Sequence, residues 1–210
     1  MIPKIGIFGI KQCGGEKVAR KFPKVLNSAE VDQLHRYFNN SNNKRAATNA
    51  RDYCIIILML EYGLRVQEVC DLRRDDVDMV TGRLQVRGKG KKDRILYLAP
   101  KHLRILSQWL EERPESEWLF CSLHGSRGIP GRQLDQRQVR AKIKQIGRRI
   151  GRSDLYPHLL RHTFATRLYD YTRDLARVQE VLGHADVSTT RIYAHISGAD
   201  VRDTLLEFHR

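Results

Sequence analysis

Six side chains stand out by type and spacing. Arg65 follows Gly63-Leu64 and precedes Glu68 by three positions, and Lys89 lies between Gly88 and Gly90. His158 and Arg161 share the run His158-Leu159-Leu160-Arg161-His162. His184 closes Leu182-Gly183-His184, with Tyr193 nine residues further on. A phosphodiester attacked by an oxygen passes through a trigonal bipyramid whose non-bridging oxygens gain negative charge, so its site needs fixed donors around them. Arginine supplies a permanently charged, two-pronged donor for that purpose. Arg65 and Arg161 could clamp such a phosphate, while His158 and His184 add donors or handle a proton. A phenol of pKa ~10 is mostly protonated at neutral pH, and nearby cations favour its phenolate, which makes Tyr193 a candidate nucleophile.

Taken singly, each element has an ordinary reading. An arginine after a helix-ending glycine is commonly a cap or a surface ion pair, and His158 and Arg161 would share a helix face whatever they do. Gly-Lys-Gly suits a hairpin tip, His184 could complement a helix C-terminus, and Tyr193 between Ile192 and Ala194 could be a core aromatic. A metal site would have to draw on His158, His162, His184 and His195. The His-x3-His pair lacks the acidic partners of a zinc hydrolase, so no metal and no cofactor are expected.

The elements that must carry these groups are readable from periodicity. Asn27 and Glu30 form a capping box ahead of Val31, Leu34 and Phe38 at helical spacing, and the polar run Asn39 to Lys44 ends that helix. Ala46 to Tyr62 is nearly all apolar, which predicts a central helix covered on most sides and closed by Gly63. A short helix from Val66 to Arg73 follows, with Val69 and Leu72 inward. From Arg83 to Leu98 the period becomes two around a Gly-Lys-Gly-Lys-Lys-Asp tip, which predicts a β-hairpin. Leu103, Leu106 and Leu110 restore helical spacing, and Val139, Ile143, Ile146 and Ile150 mark another amphipathic helix. Pro157 opens a helix holding Leu160, Phe164 and Leu168; Asp174 caps one that ends at Gly183; Ser188 caps a short one; Ser197 opens a last one with Val201, Leu205 and Phe208. The expected fold is mainly α with a small antiparallel β-sheet. Residues 1–24 show no sustained period and read as a tail or linker before a domain spanning 25–210.

The chain has 210 residues, of which 41% are apolar, enough for one sizeable core. Thirty-eight Lys and Arg against 24 Asp and Glu give a formal net charge of +14. That excess points to a polyanionic partner such as nucleic acid. Six basic residues crowd the hairpin (Arg83, Arg87, Lys89, Lys91, Lys92, Arg94), and nine lie between Arg127 and Arg152 against Asp135 alone. The second group falls on the polar side of a helix with a clean apolar stripe, a surface suited to phosphate-backbone contact. The four cysteines, Cys13, Cys54, Cys70 and Cys121, form no Cys-x-x-Cys pair, and burial in a reducing cytoplasm suits them. The apolar run Cys54 to Leu60 is far shorter than the ~18 residues of a membrane span, and no export signal is evident.

In this order, Arg65, Lys89, His158, Arg161, His184 and Tyr193 resemble the catalytic set of the tyrosine recombinase (λ-integrase-like) superfamily. The surrounding text does too: YGLRVQEVCDLR, VRGKGKKDR, PHLLRHTFATRL and VQEVLGHADVSTTRIYAHI. The resemblance runs from about Val25 to the C-terminus and is nearest to Xer-like recombinases and integrases. It implies the tyrosine recombinase catalytic-domain fold, with site-specific cleavage and rejoining of double-stranded DNA by transesterification through a 3′-phosphotyrosine. It also implies that Lys89 protonates the leaving 5′-oxygen, although Lys91 and Lys92 share the same tip. A type IB topoisomerase shares the chemistry, and a DNA-binding regulator could share the fold; the latter would be expected to lack a catalytic residue. Superfamily members generally carry an N-terminal core-binding domain; only some 24 residues precede the catalytic part here, so the expectation is either an excised catalytic domain or a natural single-domain member. The resemblance further implies a homo-tetramer on DNA linked through the C-terminal helix, with a possible accessory DNA-bending protein, acting at the nucleoid in the cytoplasm.

Overall fold

The computed structural model of the chain describes residues 25–39, 46–88, 93–123, 129–183 and 198–209. Eight α-helices and one two-stranded antiparallel sheet are found among them: α1 (Ser28–Asn39), α2 (Ala46–Leu60), α3 (Val66–Asp71), β1 (Arg83–Val86), β2 (Arg94–Tyr97), α4 (Pro100–Glu112), α5 (Gln136–Arg149), α6 (Pro157–Thr172), α7 (Leu175–Leu182) and α8 (Gly198–Phe208). A 3-10 turn, Arg74–Asp76, joins α3 to the sheet. The tail at residues 1–24, the helix expected at Ser188 and Cys13 lie outside the described residues.

The helix boundaries follow their caps. At α1 the Asn27 amide donates to Glu30 Oε2 and the Glu30 amide donates to Asn27 Oδ1, both at 2.9 Å, the reciprocal box expected of that pair. Asp174 accepts from the Ala176 and Arg177 amides at the start of α7, and Gly183 ends it with φ +62°. The central position of α2 follows from its run of apolar residues. Cys54, Ile55, Ile56, Ile57, Leu58, Met59 and Leu60 are all buried, and α4, α6, α3 and α1 pack around them. Val139, Ile143, Ile146 and Ile150 are all buried as well, so α5 presents its basic face outward. The buried cysteines Cys54, Cys70 and Cys121 are free thiols, and burial raises the Cys70 thiol to about 12.

Helix α4 and strand β2 present specific faces to the core. On α4 the inward residues are His102, Leu106 and Trp109, while Leu103 and Leu110 are only half-buried. Tyr62 explains the presence of histidine there: its hydroxyl lies 2.7 Å from His102 Nδ1 and accepts the Ala99 amide at 2.8 Å. On β2 it is Leu96 that is fully buried, with Ile95 exposed; Tyr97 lies partly covered, with the guanidinium carbon of Arg202 5.6 Å from its ring centre. Helix α8 packs against this strand of its own domain, burying Val201, Leu205 and His209. Its far end is fastened by Glu61, a buried carboxylate that meets His209 Nδ1 at 3.4 Å, His35 Nε2 at 3.3 Å and Arg167 at 3.0 Å. In the single chain, therefore, the apolar stripe of the terminal helix is already covered.

Candidate active site

Two chain reversals bring the two site arginines together. Helix α2 ends at Leu60 and the chain turns at Gly63, whose φ is +67° and where a Cβ would sit 2.4 Å from Phe164 and 2.6 Å from Leu182, an approach that suits glycine. The turn sets Arg65 as the residue preceding α3, and its amide donates to Glu68 Oε2 at 2.7 Å. Arg161 lies one turn into α6, buried, and reaches back to the same turn. Its Nη1 donates to the Gly63 carbonyl, and its Nη2 donates to the Leu182 carbonyl at 2.9 Å. The end of α2, the end of α7 and the start of α6 thus meet on one guanidinium.

Beneath this meeting point sits Glu68, whose side chain is 7% exposed. Arg65 binds its Oε1 at 2.9 Å. Arg94, the first residue of β2, binds it with both prongs, Nη1 to Oε1 at 3.0 Å and Nη2 to Oε2 at 2.9 Å, and Arg161 Nη1 lies 3.9 Å from Oε2. Burial alone would raise this carboxyl, but Arg94 and Arg65 hold it down to about 2, so it is ionised at neutral pH. Burial, with Arg65 alongside, lowers Arg161 to about 9. Three guanidiniums around one carboxylate leave an excess of two positive charges, an arrangement complementary to a phosphodiester that gains charge as it reacts. Arg65, with its side chain 39% exposed, offers this charge to the outside.

His158 stands at the rim, exposed, three residues before Arg161 on α6. Burial first, and then the neighbouring His162 and the charges of Arg161, Arg140 and Arg65, lower its imidazole below the ordinary value, which favours the neutral form that can accept a proton. Arg65, His158 and Arg161 are therefore brought to one place by the fold. Lys89, His184 and Tyr193 lie outside the described residues, although the segments that lead to them do not. Gly88 ends the described part of one hairpin arm, and Gly183 ends α7 against the side chain of Arg94.

The basic clusters divide in a way that counting charges could not reveal. In the hairpin, Arg94 is buried on Glu68, while Arg87, half-exposed, pairs with the buried Asp76 at 2.6 Å. On and after α5, Lys142 pairs with Asp52 and Arg152 with Glu30 and Asp154. Arg132, Arg137, Arg140, Lys144, Arg148 and Arg149 are exposed and have no ion pair among the described residues. Sequence reasoning counts Arg94 only as one basic residue of the hairpin and gives Glu68, three residues after Arg65, no role; the structure joins the two in a bidentate pair.

Comparison with known proteins identifies the family. Residues 24–199 match the phage integrase family. Tyrosine recombinase XerD of Listeria innocua is 35% identical over 202 residues, covering 92% of this chain and 65% of that protein. Tyrosine recombinase XerC of Pseudomonas syringae pv. tomato is 37% identical over 184 residues, covering 86% and 58%. The chain thus spans less than two thirds of the length of these relatives. Among solved structures, XerA recombinase superposes with a TM-score of 0.66 at 29% identity, covering 94% of this chain and 67% of that one. XerH recombinase bound to difH substrate superposes with a TM-score of 0.67 at 32% identity, covering 84% and 51%. With the tyrosine recombinase catalytic-domain fold, the ordered motifs and a family match over most of its length, the chain belongs to the phage integrase family.

Proposed function

We propose that the chain is a site-specific DNA recombinase, cleaving and rejoining double-stranded DNA through a 3′-phosphotyrosine. The observation that supports this best is the convergence of Arg65 and Arg161 on Glu68, with His158 beside them at an exposed rim. In this reading the two arginines bind the non-bridging oxygens of the scissile phosphate and stabilise the charge that develops there. Tyr193 attacks phosphorus, and His158 and His184 take or hold its proton. Lys89 delivers a proton to the departing 5′-oxygen, a poor leaving group without one. Attack by Tyr193 breaks the P–O5′ bond and forms a phosphorus–tyrosine ester of similar energy, so a new 5′-hydroxyl can displace the tyrosine and rejoin the strand without ATP. The exposed cations of α5 track the DNA backbone. Residues 25–210 form the catalytic domain, preceded by a tail or linker, and the protein acts on the nucleoid in the cytoplasm. Recombination between two sites engages a homo-tetramer on DNA, linked through α8 and aided where needed by a DNA-bending protein; for this, α8 must exchange its own domain for a neighbour's.

The test is covalent capture. The chain is incubated with a pool of nicked duplexes of randomised sequence, and detergent-stable adducts are recovered, sequenced and mapped by mass spectrometry. A phosphonucleotide on Tyr193 is the expected result. Absence of any adduct, or an adduct on another residue, would refute the assignment.

A further inference from the structure

Glu68 is a buried carboxylate whose acceptor sites are full. Oε1 accepts Arg65 Nη1 at 2.9 Å and Arg94 Nη1 at 3.0 Å, while Oε2 accepts the Arg65 amide at 2.7 Å and Arg94 Nη2 at 2.9 Å. A carboxylate offers about four such sites, and Arg94 fills one on each oxygen. Among the described residues the remaining guanidinium within 4 Å is that of Arg161, whose Nη1 stands 3.9 Å from Oε2, outside hydrogen-bond reach. Arg161 donates instead to the Gly63 and Leu182 carbonyls. Arg94 is held in place from a second side as well. Its side chain is 9% exposed and runs against Gly183, where an added Cβ would lie 3.0 Å from Nη1 and 3.1 Å from Cδ.

Loss of Arg94 empties one acceptor site on each oxygen of a desolvated carboxylate, and an unfilled site there is costly. The guanidinium poised to fill it is that of Arg161, which needs to move only about 1 Å to bond Oε2. The charge balance changes too: three guanidiniums on one carboxylate leave an excess of two positive charges, and two guanidiniums leave one. We propose that Arg94 is a positioning residue for the phosphate clamp: by saturating Glu68 with both prongs, it keeps that carboxylate from drawing Arg161 inward and leaves Arg65 and Arg161 directed at the substrate. Arg94 itself does not touch the reacting phosphate. A lysine is a poor substitute, because one ammonium does not match both oxygens in the plane of the carboxylate. The inference rests on the reading of Arg65 and Arg161 as the pair that binds the scissile phosphate.

The experiment measures single-turnover adduct formation by the full chain, at saturating protein, on a duplex recovered by covalent capture. Arg94→Gln is expected to cleave about ten- to a hundredfold more slowly than wild type, the scale of a misplaced transition-state donor. Because the fault then lies in an unsatisfied Glu68, adding Glu68→Gln restores the excess of two positive charges. The double variant should be at least about fivefold faster than Arg94→Gln alone, whereas a purely structural role for Arg94 leaves it as slow or slower. A second duplex carries a methyl group in place of one non-bridging oxygen of the scissile phosphate, which removes one of the charges the clamp faces. On that substrate the Arg94→Gln loss should shrink by at least about threefold. Arg94→Lys should fall between Arg94→Gln and wild type, and the two substrates are compared with it if Arg94→Gln fails to fold in thermal unfolding. A double variant no faster than the single, an equal loss on both substrates, a wild-type rate for Arg94→Gln, or failure of both Arg94 variants to fold overturns the proposal. Wild-type rates for Arg65→Ala and Arg161→Ala, or no adduct from the wild type, instead overturn the underlying reading of the clamp.

Discussion

Replacing Glu68 by glutamine removes one negative charge and almost no volume from a point that three guanidiniums share. Breaking a buried ion pair from one side costs about 3–5 kcal/mol, because the remaining charges stay desolvated without a counter-charge. The exposure of Arg65 moderates that cost here. A second route to the magnitude comes from the carboxyl itself, held at about 2 against an ordinary 4.5, which corresponds to roughly 3 kcal/mol of folding stability at neutral pH. Because the folded value is depressed, this contribution is complete above the unfolded value and fades as pH falls through the folded one. About 3 kcal/mol at pH 7 becomes about 2 kcal/mol at pH 3.5. For a chain of this size the neutral-pH loss lowers Tm by about 6–12 °C. Urea unfolding of wild type and Glu68→Gln, followed by circular dichroism at both pH values, measures the difference directly. A gap below about 0.5 kcal/mol at pH 7, or one that widens in acid, would show that Glu68 is not the counter-charge of the arginines and that the main-chain carbonyls of Gly63 and Leu182 suffice.

Four further outcomes are expected. Tyr193→Phe should bind DNA normally yet form no detergent-stable adduct, because it removes a hydroxyl and little packing; an adduct from that variant would exclude Tyr193 as nucleophile. Gly63→Ala places a methyl group 2.4 Å from Phe164 at φ +67°, so it should cost about 2 kcal/mol or more by chemical denaturation and displace the carbonyl that Arg161 uses; wild-type stability would contradict the packing. His102 is lowered to about 3 chiefly by burial, so protonation opposes the fold: its contribution is present above the unfolded value of 6.5 and is lost as pH falls, about 2 kcal/mol between pH 7 and 5. His102→Gln should flatten that part of the stability profile, and an unchanged slope would remove His102 as its source. Truncation after Ser197 should lower Tm of the free chain, because α8 buries Val201, Leu205 and His209 on its own domain; an unaltered Tm would mean that this docking adds nothing.

Local signals determined much of this protein. The reciprocal cap at Asn27 and Glu30, the stop at Gly63, the four-residue stripe of α5 and the Asp174 cap all depend on neighbours within a turn or two, so their chemistry is readable along the chain. The spacing of His158 and Arg161 likewise placed both on one face of α6. Tertiary structure alone decided which of the many cations have buried partners. Arg94 and Glu68 are 26 positions apart, and nothing in their local sequence distinguishes Arg94 from Arg83 or Lys92, whose charge is the same. The same holds for Glu61, which gathers His35, Arg167 and His209 from α1, α6 and the C-terminal end of α8. Periodicity reports how much of a helix is covered but not by what, so the inward turn of His102 on α4 to meet Tyr62 is not legible beside Leu106. A charge acquires its role from the desolvated partner that folding brings to it, and that partner is a property of the packed chain.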